Sequence, residues 1–109
     1  MERGEVRWYT FAQPDKRLPV LILTRSSAVR YLNVVTVVPI TTTIRGVPSE
    51  VRFSTADGLI TDCAANFYNI QTIPKADLGA YITTIPPRRM AEVDKAIMFA
   101  LGVDQESPS

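Results

Sequence analysis

A chain of 109 residues, 46% apolar and 21% charged, holds one small hydrophobic core and has no length for a second. It contains no histidine and a single cysteine, Cys63, which excludes a Ser-His-Asp triad, a Cys-His pair, an imidazole base, an internal disulfide and a cysteine-rich zinc site. The formal net charge of +1 is unevenly spread: residues 14–46 sum to +4 through Lys16, Arg17, Arg25, Arg30 and Arg45 against Asp15, and the rest of the chain sums to −3. Such a basic stretch suits phosphate or an acidic partner, and equally a set of solvated loop charges.

Residues 1–5 carry both charge signs and no apolar run, unlike a secretory signal. The longest apolar stretches, 19–23 and 34–40, fall well short of the roughly 18 to 20 residues that a membrane span needs. The expectation is a cytoplasmic, non-membrane protein made of one domain over 1–109, with a core of about 3–102 and a polar, fraying tail over 103–109.

Partial alternation of apolar and polar residues over 6–11 predicts a first strand with one buried face, and Gln13-Pro14-Asp15-Lys16-Arg17 predicts the loop after it. Residues 19–24, apolar at nearly every position, predict a strand covered on both sides, and 34–38 repeat the pattern after a polar bend over 25–33. Pro39 is expected to end or edge that strand, with turn chemistry following at Gly46 and Pro48. Further strands are predicted at 50–53, over 62–73 with a break near Asn69, and at 78–84, with a hairpin-type turn at Asp57-Gly58. Six or seven short strands in so few residues predict a small curled barrel.

From Pro87 the period changes. Met90, Val93, Ile97, Ala100 and Leu101 recur at helical spacing, with Pro87 at the start and Gly102 at the stop, which predicts an amphipathic helix laid on the barrel. Cys63, beside Ala64 and Ala65, reads as a small buried side chain without chemistry. The first-strand aromatics Trp8, Tyr9 and Phe11 read as core.

The chain opens Arg3-Gly4-Glu5-Val6, then places a basic segment before Pro19-Val20-Leu21-Ile22-Leu23. A second apolar strand ends Val38-Pro39-Ile40-Thr41, followed by Arg45-Gly46, Glu50-Val51, Asn69-Ile70-Gln71-Thr72-Ile73 and the terminal helix. In that order these elements resemble the MazF/PemK toxins over roughly residues 3–102. The resemblance implies a mainly β fold, a small curled SH3-like barrel of the MazF/PemK/CcdB type with a C-terminal helix. It also implies a homodimer whose RNA groove lies at or near the two-fold interface, and a cognate antitoxin as partner.

The activity implied is that of a toxin endoribonuclease cutting single-stranded RNA at a short preferred sequence, with no metal and no cofactor. In that family the 2′-hydroxyl attacks its own phosphate, leaving a 2′,3′-cyclic phosphate and a 5′-hydroxyl. Such chemistry suits a chain without histidine, because the enzyme has only to align the nucleophile and stabilise charge on the phosphorane. Two readings compete: a CcdB-like gyrase poison on the same fold, disfavoured by the Glu106-Ser107-Pro108-Ser109 end, and an inactive barrel that only binds RNA or a peptide.

The family's catalytic residues carry over as Arg17 and Thr41. The family pattern at the first is Arg-Pro, whereas this chain reads Arg17-Leu18-Pro19, so Leu18 stands at the strict position. Either the loop is one residue longer and Arg17 still reaches the phosphate, or the arginine is displaced. Thr41 follows Pro39-Ile40, where its hydroxyl can donate to phosphate, with Thr42 and Thr43 as neighbouring RNA contacts. Lys16, Arg25 and Arg45 are candidate phosphate contacts, and Tyr68, Asn69 and Gln71 candidate base contacts, Tyr68 standing where some members carry an acidic residue.

Overall fold

The computed structural model describes residues 1–12 and 15–104. Strands β1 (Glu5–Ala12) and β2 (Asp15–Ile22) form a long antiparallel hairpin, in register from Val6 against Leu21 to Ala12 against Asp15. The loop expected at 13–17 is therefore much shorter: Lys16 and Arg17 are strand residues opposite Phe11 and Thr10. Both side chains are exposed, and long aliphatic stems with solvated heads are tolerated on an open strand end. Gln13 and Pro14 lie outside the described residues, as does the tail over 105–109.

The bend before the next strand contains one turn of helix, α1 (Ser26–Val29), which the sequence reading missed; buried Val29 anchors it. Strand β3 (Val34–Thr41) follows and pairs with β2 from Ile22 against Val37 to Val20 against Pro39. Pro39 was expected to end or edge this strand, and it does neither. It is the last residue paired with β2, and Ile40 and Thr41 then pair with Ala65 and Ala64 of β5 (Cys63–Asn66). A residue with no N–H fits where a strand changes partner.

Strand β4 (Glu50–Phe53) pairs with β5, β6 (Gln71–Pro74) with the first half of β3, and β7 (Tyr81–Thr84) with β1. The hydrogen-bonded order is β4-β5-β3-β2-β1-β7 with β6 beside β3, a sheet curled into a half-barrel. The seven strands among the described residues match the expected six or seven, and the break near Asn69 is a 3-10 turn over Phe67–Asn69. Asp57-Gly58 is not a hairpin turn. It closes a 3-10 turn over Thr55–Asp57 in which Ser54 and Asp57 form a reciprocal capping box and Gly58 takes φ +93°. The last helix, α2 (Pro87–Leu101), has the predicted bounds, with Gly102 at φ +71° stopping it.

Because β2 and β3 are apolar on both faces, the sheet carries a hydrophobic cluster on each side. Val6, Leu21, Val38, Ile40, Phe53 and Phe67 pack beneath Met90, Val93 and Ala96 of α2. Across the sheet, Val20, Ile22, Val35, Val37 and Ile73 gather with Val29, and half-buried Tyr9 and Phe11 close over them edge to face. Each fully buried Val, Leu or Ile is worth about 1.5–3 kcal/mol, so these two short strands carry much of the stability.

Candidate cleft at the ends of β2 and β3

Successive strand residues point to opposite faces, so the side chains at the start of β2 are sorted by parity. Lys16 and Leu18 share the face of Val20 and Ile22, whereas Arg17 and Pro19 share that of Leu21. On β3, Pro39 and Thr41 continue the face of Val35 and Val37. Val20 stands opposite Pro39, where the pairing of β2 with β3 ends, and Leu18 and Thr41 lie just beyond it on the same face.

Two adjoining hollows open there. One, of about 450 Å³, is lined by Phe11, Lys16, Leu18, Pro39 and Thr41 together with Tyr68, Asn69, Ile70 and Gln71. The other, of about 280 Å³ and mostly apolar, shares Lys16, Leu18 and Thr41 and runs to Trp8, Ile40, Thr42, Ile60, Cys63 and Ile82. The structure thus brings together Lys16, Thr41, Thr42, Tyr68, Asn69 and Gln71 from the sequence-derived set.

Arg17 lines neither hollow. Its guanidinium lies over the Trp8 ring, 4.2 Å from guanidinium carbon to ring centroid, in a separate depression with Thr10, Asp77 and Gly79. Arg17 is a strand residue opposite Thr10 and does not sit on a bulged loop. The pairing of Ala12 with Asp15 keeps Arg17 in strand register, on the face of Pro19 and not that of Lys16 and Leu18. Arg25 precedes α1, and its carbonyl accepts from the N–H groups of Ala28 and Val29. The N–H groups of Arg45 and Gly46 donate to the Glu50 carboxylate at 2.9–3.2 Å. Neither arginine lines the two hollows, and neither does exposed Thr43.

The wall carrying Tyr68 and Asn69 is held by residues that the sequence reading did not single out. The Asn66 side-chain oxygen accepts from the Tyr68 N–H and from the hydroxyl of fully buried Ser49, both at 3.1 Å. The Phe67 N–H donates to the Ser49 carbonyl at 2.7 Å, and the Phe67 ring is sunk in the core under α2. Tyr68 is in consequence 65% exposed on a fixed turn. An Asn heading a three-residue turn was the available signal.

Cys63 contributes an apolar surface to the smaller hollow. Burial, then the charges of Asp57 and Asp62, push its thiol pKa up, and its Sγ–H points at the Phe53 carbonyl at 3.8 Å, so the thiol stays protonated at neutral pH. Among the described residues no three carboxylate or thiol groups gather as a metal-ligand cluster, and no helix is long and apolar enough to cross a membrane.

The model of a protein family described as PemK-like, MazF-like toxin of type II toxin-antitoxin system matches residues 2–101. Among curated relatives, Endoribonuclease MazF3 of Mycobacterium tuberculosis is 43% identical over 91 residues, 84% of each chain. Probable endoribonuclease MazF2 of the same organism is 35% identical over 103 residues, covering 94% of this chain and 99% of that one. The solved structure of the Mycobacterium tuberculosis toxin MazF-mt6 superposes with a TM-score of 0.84 at 37% identity, over 92% of this chain and 98% of the other. A mycobacterial endoribonuclease in complex with its cognate antitoxin also gives 0.84, at 30% identity over 94% and 96%. With the half-barrel, the terminal helix and a near full-length match in agreement, the chain belongs to the family of PemK-like, MazF-like toxins of type II toxin-antitoxin systems.

Proposed function

We propose that this chain is the toxin of a cytoplasmic toxin-antitoxin pair and cuts single-stranded RNA in the cleft at the ends of β2 and β3. The observation that carries the reading is the composition of that cleft. Thr41 and Lys16 line it together with exposed Tyr68, Asn69 and Gln71. Phosphate needs donors and positive charge, and unstacked bases need a ring to stack on and amides to read their edges.

In the reaction the 2′-oxygen bonds to the adjacent phosphorus and loses its proton to solvent. The bond from phosphorus to the 5′-oxygen breaks, and that oxygen takes up a proton. The products are a 2′,3′-cyclic phosphate and a 5′-hydroxyl, with no redox change and no external nucleophile. Thr41 donates a hydrogen bond to a non-bridging phosphate oxygen, where negative charge grows during the step. Tyr68, Asn69 and Gln71 hold the bases.

The protein acts as a two-fold homodimer, with the RNA groove at or near the interface. A cognate antitoxin neutralises it by laying an acidic and apolar segment over the same groove. A monomer by sedimentation at micromolar concentration would contradict the dimer, and a ternary complex holding RNA and antitoxin at full affinity would contradict the shared groove. The direct test is incubation of the purified protein with total RNA, followed by sequencing of 5′-hydroxyl ends. A short motif common to those ends is expected, and RNA left intact would overturn the reading.

A further inference from the structure

The cation at the reacting phosphate remains to be assigned, and resting on the endoribonuclease reading, we propose that it is Lys16. Three independent features converge on it. Strand parity puts Lys16 and Leu18 on the face of Thr41, and Arg17 on the other. Lys16, Leu18 and Thr41 are the three residues common to both hollows. Arg17 is stacked on Trp8 in a different depression. The ion pairs among the described residues are Arg3–Asp94, Arg7–Glu5, Arg89–Asp57 and Arg89–Glu92, so none of them engages Lys16.

Leu18, which lines both hollows with Thr41, can offer only an apolar floor. One pleat outward, Lys16 has a flexible four-carbon stem to swing its ammonium back over that floor toward the Thr41 hydroxyl. It delivers a point charge with three donors rather than the planar fork of an arginine. During the step its charge does not change. It keeps its protons and hydrogen-bonds to the non-bridging oxygens while the 2′-oxygen bonds to phosphorus and the 5′-oxygen leaves. Arg17 acts instead as a cover for Trp8 and stiffens the hairpin.

Single-turnover cleavage at saturating RNA, with Lys16→Ala, Lys16→Arg, Arg17→Ala and the pair Lys16→Ala with Leu18→Arg, tests the assignment. Losing one preorganised charge at a phosphorane costs about 10²- to 10³-fold, so Lys16→Ala should fall by that amount with its thermal midpoint unchanged. Lys16→Arg should retain cleavage within about tenfold, and Arg17→Ala within about threefold, because neither removes a charge from the Thr41 face. Leu18→Arg, which puts a guanidinium in the hollows that Thr41 lines, should recover at least about tenfold in the Lys16→Ala background. Near-parent cleavage by Lys16→Ala, or a large loss in Arg17→Ala with Lys16→Ala unaffected, would overturn the lysine while leaving the nuclease intact. A parent protein that cuts no RNA would overturn the nuclease reading, and this assignment with it.

Discussion

Beneath α2 the charges are paired and the chain is closed, whereas at the ends of β2 and β3 the polar groups face solvent. On the helix side Arg89 bonds to Asp57 at 3.2 Å, to Glu92 and to the Arg52 carbonyl, and lies over the Phe53 ring. Arg3 reaches Asp94 at 2.7 Å and the Leu23 carbonyl at 2.9 Å. Hydrogen bonds to Glu92 and Asp57 raise the Arg89 pKa despite the opposing effect of burial, so it stays charged at any working pH. On the cleft side Lys16, Tyr68, Asn69 and Gln71 are exposed and only Thr41 is half-buried. The first region uses its arginines to hold elements together, whereas none of the ion pairs among the described residues lies in the second.

That division predicts separable losses. The largest is expected at Thr41. Thr41→Ala should lower single-turnover cleavage by about 10²-fold while melting like the parent, since a half-buried hydroxyl at a strand end carries little of the fold. A melt lowered in parallel with activity would make Thr41 structural instead. Arg89→Ala should do the reverse. Freeing Asp57 and the Arg52 carbonyl should cost about 2 kcal/mol, on the order of 8–16 °C in a domain of this size, with cleavage below the midpoint nearly unchanged. A large rate loss without a stability loss would mean that α2 is coupled to the cleft.

How much of this was legible beforehand follows the same line. Two-faced apolar strands, the helical spacing after Pro87 and the stop at Gly102 are local patterns and could be read directly. The face on which Lys16 and Arg17 fall depends on the length of the β1–β2 connection, and one residue either way reverses every side chain. Reading 13–17 as loop hid that choice. The turn that presents Tyr68 was out of reach for another reason: Asn66 meets Ser49 only after β4 and β5 have paired.

Smaller effects sharpen the contrast. Tyr68→Ala should weaken binding of uncleavable 2′-deoxy-substituted RNA by about 1–3 kcal/mol, the usual worth of one base stack, without moving the melt. Unchanged binding would remove Tyr68 from the groove. Cys63, raised by burial and two nearby carboxylates, should alkylate at pH 8 at least about tenfold more slowly in the native protein than in the denatured chain. Because the folded state holds this proton more tightly, the thiol's contribution to stability is present below the unfolded thiol pKa and shrinks as pH rises above it. Rapid native labelling would show that the smaller hollow opens.

The measurement closest to the central claim compares one RNA substrate with its analogue carrying a single 2′-deoxyribose at the cleavage nucleotide, both in excess chelator. Attack by the 2′-hydroxyl predicts full cleavage of the first, ending in a 2′,3′-cyclic phosphate and a 5′-hydroxyl, and none of the second at equal binding. Cleavage of the deoxy analogue, or activity lost in chelator and restored by a divalent metal, would contradict it.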